Sequence, residues 1–145
     1  MKKIYFAGSI RGGRADAALY ARMIDFMKEK GHAVLTEHVG HPELNLLEQG
    51  KDRDGEIYAQ DTGWLRESEL LIAECTNPSL GVGYELAYAE RFGKPCYLFY
   101  NKTRTQLSAM LTGDPYFSIF PYETEDELFA ALERVISDVL ESDPQ

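Results

Sequence analysis

Two acidic residues, Asp61 and Glu85, have neighbours that could turn a carboxylate into a catalyst. Asp61 shares an i, i+4, i+7 pattern with Ile57, Trp64, Leu65 and Ser68, so a helix there sets a carboxylate on an apolar stripe. Such a group is costly unless paired or protonated, and burial raises its pKa, as general acid–base work requires. The pattern also fits an Asp at the edge of the stripe, reaching water or an arginine, and spacing alone favours that plainer reading. Glu85 closes the run Asn77-Pro78-Ser79-Leu80-Gly81-Val82-Gly83-Tyr84-Glu85, which follows directly on an apolar segment. Gly81 and Gly83 open a helix, and Ser79 with the first free amides suits an anionic oxygen. A carboxylate one turn into that helix can attack an anomeric carbon, as glycosidase nucleophiles do. Taken alone, it is more often an acidic residue that complements the helix dipole.

A third segment, Gly8-Ser9-Ile10-Arg11-Gly12-Gly13-Arg14, offers backbone that a ligand can approach closely and two fork-shaped donors for phosphate or carboxylate. It is neither a GK[ST] phosphate loop nor a G-x-G-x-x-G dinucleotide turn. A tight strand-to-helix turn with two solvated arginines fits it equally well. His38 and His41 lie three apart without Cys, a third His or an HExxH context, which argues against a metal site; His32 reads as a surface residue. Tyr5 and Phe6 alternate on the first apolar run, so one of them can face a site at its end.

The elements that must carry these residues follow from the hydrophobic period, which switches repeatedly between strand-like and helix-like. Apolar runs predict strands over 3–7, 33–36, 70–74, 95–100 and 117–120. Helices are predicted from Leu19 to a stop at Gly31, over 56–67, 81–93, 104–112 and 124–141, with a long loop over 39–55. Strands alternating with helices imply an α/β fold, with a parallel sheet covered on both faces and ligands at the carboxyl ends of the strands. Length and absence of a linker or repeat predict one domain over 1–145.

Apolar residues make up 44% and charged residues 27%, which suits a globular core and argues against disorder. Two cysteines, Cys75 and Cys96, build no disulfide framework and fit a reducing compartment. No apolar run spans a membrane, and the first residues read as a strand instead of a signal peptide, so a cytoplasmic protein is expected. Most of the net charge of −9 lies in 123–145, where eight carboxylates face Arg134 alone. Nucleic acid is therefore not an expected partner, whereas a small anion remains one, because Lys2, Lys3, Arg11, Arg14 and Arg22 make the N-terminal region locally basic.

The stretches YFAGSIRGG (5–13), LTEHV (35–39), QDTGWL (60–65), PSLGVGYELAYA (78–89) and LSAM (107–110) together resemble the 2′-deoxynucleoside 5′-phosphate N-hydrolases of the nucleoside 2-deoxyribosyltransferase superfamily. The likeness runs in order from residue 4 to about 122. It implies a flavodoxin-like (Rossmann-like) five-stranded parallel sheet of order 2-1-3-4-5, a homodimer, and no metal or organic cofactor. It further implies hydrolysis of the N-glycosidic bond of deoxynucleoside monophosphates to free base and 2-deoxyribose 5-phosphate. Glu85 would be the nucleophile that forms a glycosyl ester, Asp61 the acid assisting the leaving base, and Tyr5 the group orienting the nucleophile. Ser79, Gly81 and Gly83 would clamp the phosphate, Gly8, Ile10 and Arg11 would contact the nucleotide, and His38 would lie near the base. Ser108 would reach a phosphate across the dimer interface. Two alternatives stay open: a nucleoside 2-deoxyribosyltransferase that exchanges bases, and a non-catalytic nucleotide-binding domain on the same sheet.

Overall fold

The computed structural model describes residues 1–9, 16–36 and 53–141. In chain order these form β1 (Lys3–Gly8), α1 (Ala17–Glu29), β2 (Ala33–Val34), α2 (Asp54–Glu67), β3 (Leu70–Glu74), α3 (Leu80–Arg91), β4 (Cys96–Asn101), α4 (Ala109–Thr112), β5 (Ser118–Tyr122) and α5 (Glu125–Glu141). The strands build one parallel sheet in the order β2-β1-β3-β4-β5, as expected. In register, Tyr5 lies beside Leu71, Gly8 beside Glu74, and Glu74 beside Phe99.

Alternation along the central strands divides the apolar side chains between two cores. Ile4, Phe6, Ile72 and Phe99 pack on one face beneath α1 and α5, through Met23, Met27, Leu132 and Ile136. Tyr5, Leu71, Ala73 and Leu98 pack on the other beneath α2 and α3, through Leu65, Leu86 and Ala89. Every residue of β3 is buried, because both of its faces are covered. Each fully buried Leu or Phe contributes about 1.5–3 kcal/mol, so the cores outweigh any surface ion pair.

Helices α1 and α3 end in the same way. After α1, Gly31 takes a positive φ of 93°, its amide donates to Lys28 O at 2.9 Å, and His32 N donates to Met27 O at 3.2 Å. After α3, Gly93 (φ 70°) donates to Glu90 O at 3.0 Å and Lys94 N to Ala89 O at 2.9 Å. Both are Schellman stops, which glycine makes without a Cβ clash.

Four sequence expectations need correction. The strand expected over 33–36 is assigned only at Ala33–Val34, although Leu35 N still donates to Ile4 O at 2.9 Å. The helix expected over 104–112 shrinks to Ala109–Thr112, because Asn101 Oδ1 accepts from Thr103 N and Oγ1 at 3.0 and 2.6 Å and turns the chain there. His32 is 5% exposed instead of lying on the surface; its Nδ1 accepts from Lys2 N at 3.0 Å, and its Nε2 is buried without a hydrogen-bond partner. Lys2, Lys3 and Arg22 are not poised for an anion, since each meets a carboxylate: Glu69 at 3.4 Å, Glu67 at 3.1 Å and Glu125 at 2.7 Å. Among the described residues no helix is long and apolar enough to cross a membrane.

Candidate active site

Tyr5 stands mid-strand in β1 with its ring in the α2/α3 core, 1% exposed. Its hydroxyl donates to Glu85 Oε2 of α3, which packs on the same face of the sheet. Asp61 lies half-buried on α2, on the stripe that the sequence spacing anticipates. It is close enough to raise the pKa of both Glu85 and Tyr5 through its charge. The Tyr5 phenol and the Glu85 carboxyl thus meet, and Asp61 stands near enough for both to feel its charge, although the three are far apart in sequence.

Helix packing sets that meeting. Arg66 Nη1 of α2 donates to the Tyr88 hydroxyl of α3 at 2.5 Å, and the Tyr58 and Tyr84 rings meet edge-on at 6.2 Å. With α2 and α3 held side by side, one turn of each, carrying Asp61 and Glu85, faces Tyr5. Burial is the main cause of the altered acidities. It raises Asp61 above the usual carboxylate range, and it pushes Glu85 up to about 7 against the opposing pull of the Tyr5 hydrogen bond. The Tyr5 hydroxyl is itself held as a proton donor, first by burial and then by the charges of Glu85 and Asp61. A carboxyl that titrates near neutrality beside a fixed phenol can act as nucleophile or as acid–base group.

Ser79 caps α3: its Oγ accepts from Val82 N at 3.2 Å, and its carbonyl accepts from Gly83 N at 3.1 Å. Gly81 and Gly83 are exposed on the first turn. A Cβ at Gly83 would meet nothing within 4 Å, and one at Gly81 only Ser79 Oγ at 3.8 Å, so the chain itself does not require glycine at either. At Gly8 it does: the Tyr20 ring lies 2.8 Å from where a Cβ would stand. Ser108 is exposed and caps α4, accepting from Met110 N at 3.2 Å. Ile10, Arg11 and His38, together with Arg14 and His41, lie outside the described residues.

Helix α3 separates this cluster from an apolar groove of about 730 Å³. Tyr84, Glu85 and Tyr88 turn toward α2, whereas Gly83, Ala87 and Glu90 line the groove opposite Leu107, Ser108 and Met110. Ser79 and Ser108 therefore stand on the rim of one groove, and Leu80 and Met110, 97% and 81% exposed, border it. Sequence reasoning passed over one residue near the same end of the sheet, Glu74, a carboxylate with no exposed surface at the end of β3.

Comparison with known proteins agrees with this architecture. The model of the nucleoside 2-deoxyribosyltransferase family matches residues 4–131. The 5-hydroxymethyl-dUMP N-hydrolase of Rattus norvegicus is 45% identical over 136 residues, covering 90% of this chain and 82% of the relative. A protein of Syntrophotalea carbinolica with a provisional 2′-deoxynucleoside 5′-phosphate N-hydrolase name is 38% identical, covering 94% and 95%. Among solved structures, the 2-deoxyribosyltransferase of Bacillus psychrosaccharolyticus superposes with a TM-score of 0.64 at 20% identity, covering 90% of this chain and 95% of that one, which is a likeness of fold. This chain belongs to the nucleoside 2-deoxyribosyltransferase family.

Proposed function

We propose that this protein hydrolyses the N-glycosidic bond of 2′-deoxynucleoside 5′-monophosphates, releasing the base and 2-deoxyribose 5-phosphate. The observation that carries the reading is the meeting of Tyr5, Asp61 and Glu85 at one point, with Glu85 titrating near neutrality. Relatives named for hydrolysis of this substrate class support it. Glu85 attacks C1′ and the C1′–N bond breaks through an oxocarbenium-like transition state, leaving a deoxyribosyl ester. Asp61, whose burial favours the protonated form, gives its proton to the departing base. Water then cleaves the ester and returns a proton to Asp61. By donating to Glu85, Tyr5 favours the ionised form of the nucleophile against the burial that opposes it. The missing 2′-hydroxyl eases formation of the cation, so ribonucleotides are rejected.

The phosphate end lies, in this reading, at the start of α3. Two glycines in one helical turn cost up to about 1 kcal/mol each relative to alanine, and no packing among the described residues calls for them, whereas close approach of a phosphate would. Ser79, Gly81 and Gly83 hold the phosphate, Gly8, Ile10 and Arg11 contact the nucleotide, and His38 lies toward the base. A second copy covers the apolar groove and its rim of Leu80 and Met110, bringing Ser108 to the partner's phosphate. The protein acts as one domain, in the cytoplasm, without a metal or organic cofactor.

Incubation with a panel of 2′-deoxynucleoside 5′-monophosphates, with released base resolved by chromatography, tests the proposal. A parallel mixture holds a deoxynucleoside and a second free base. Base release that depends on the 5′-phosphate supports hydrolysis. Base exchange without phosphate dependence replaces it with transfer, and tight binding without release replaces it with a binding domain.

A further inference from the structure

Behind the reaction centre, on the α1/α5 face of the sheet, sits a buried carboxylate that the proposed hydrolysis does not use. Glu74 accepts three hydrogen bonds: from Thr76 N at 3.0 Å, from Thr76 Oγ1 at 2.6 Å and from the Tyr122 hydroxyl at 2.5 Å. Thr76 Oγ1 accepts in turn from Asn101 N at 2.9 Å, which joins the end of β4 to the cluster as Tyr122 joins the end of β5. One residue on, Asn77 Nδ2 donates to Asp16 Oδ2 at 2.7 Å, and Arg104 Nη1 reaches the same oxygen at 3.3 Å. The Asn77 side chain also hydrogen-bonds the Tyr20 hydroxyl, which accepts from Ser9 N at 3.2 Å. Ser9 and Asp16, the residues that bracket 10–15, are thereby tied to the turn that leads to Ser79.

An apolar side chain would fill this place at lower cost, since burying a carboxylate requires donors to replace water. The donors supplied here come from the strand ends and turns at the carboxyl edge of the sheet, where ligands of such folds bind. We propose that Glu74 is a positioning residue for the phosphate end of the substrate, acting through the Thr76–Ser79 turn. The proposal rests on the hydrolase reading for the identity of the ligand. Glu74 holds Thr76 by its amide and its hydroxyl together, which fixes the direction in which Asn77 and Ser79 leave the sheet. Ser79 then starts α3, so a rotation at Thr76 displaces the first amides of that helix from the phosphate.

Glu74→Gln is the direct test, since it keeps the shape but turns one acceptor into a donor facing two hydroxyls. The expected result is an affinity for 2-deoxyribose 5-phosphate about tenfold weaker by calorimetry. KM for 5-hydroxymethyl-dUMP rises by a similar factor, while kcat stays within about threefold. Unchanged affinity for the sugar phosphate overturns the proposal, as does a kcat that falls as far as kcat/KM. A wild type that fails to bind the sugar phosphate overturns it too. Should the Gln variant not fold, Tyr122→Phe removes one donor to the same carboxylate and is judged by the same readings. Absence of base release by the wild type counts against the hydrolase reading alone, because the affinity comparison does not depend on turnover.

Discussion

Replacing Tyr5 by Phe removes one hydroxyl and leaves the ring that packs in the α2/α3 core. That hydroxyl donates to Glu85, and its hydrogen bond opposes the burial that pushes the Glu85 carboxyl up to about 7. A hydrogen bond to a charged group is worth about 1.5–3 kcal/mol, equivalent to roughly 1–2 pKa units. Without it, the carboxyl titrates roughly 1–2 units higher, and the ionised fraction at pH 7 falls about 5- to 50-fold. The sign is fixed by chemistry: the nucleophile must be ionised, so activity rises with pH through the Glu85 pKa and the variant rises later. The assay is kcat/KM for a deoxynucleoside monophosphate from pH 5 to 9.5, which reports the free enzyme. The wild type should show an acidic limb near 7, and Tyr5→Phe the same limb displaced upward with a lower maximum, because the alkaline limb set by the Asp61 proton stays in place. A variant uniformly weaker at every pH, with its limb unmoved, would refute the claim that Tyr5 acts by tuning Glu85.

Glu85→Gln should abolish base release, by about a thousandfold or more, without lowering the thermal midpoint, because the substitution removes a half-buried charge; chromatography and calorimetry read the two parts. Asp61→Asn should slow base release about 10²- to 10⁴-fold, and least for the bases that leave most easily unprotonated; a panel of bases reveals that gradient. Gly8→Ala drives a methyl into the Tyr20 ring, 2.8 Å away, and should cost about 1–3 kcal/mol in urea unfolding. His32 has a lowered pKa, chiefly from burial, so below its unfolded value of about 6.5 the unfolded chain takes up a proton that the native state resists. Its stabilising share is thus present above that pH and fades below it. His32→Asn retains an acceptor for Lys2 N and does not titrate, so its thermal midpoint should fall less than that of the wild type between pH 7.5 and 5.5.

The parallel sheet was legible because its central strands, KIYFA, LLIAE and PCYLFY, are short apolar runs bounded by turn residues, and β3 falls on the expected residues. Asp61 was legible as a position on a stripe, but its environment was only half so: the sequence favoured an exit to water, and in the fold the side chain is half-buried, enough for burial to raise its pKa. The meeting of Asp61, Glu85 and Tyr5 depends on which helices share a face of the sheet, a relation that no local spacing encodes. Residues 104–112 misled because helical composition without an apolar stripe has nothing to hold it against the core, and the Asn101 side chain offers the backbone a turn instead. Glu74 was overlooked for the opposite reason, since a charged residue at the end of an apolar run ordinarily marks the return to solvent.

Tyr5 belongs to the third position of a strand hydrogen-bonded on both sides, between β2 and β3. The backbone that carries its hydroxyl moves only when β1 parts from β3, an event as rare as complete denaturation, whereas the exposed first turn of α3 can fray at far smaller expense. The proposed bond-breaking end is accordingly welded to the scaffold, and the proposed phosphate grip is mounted on a helix end that can be exchanged. In the proposed reaction, drift at that helix end can strengthen or weaken the hold on the phosphate while the chemistry at the sugar carbon stays as it was.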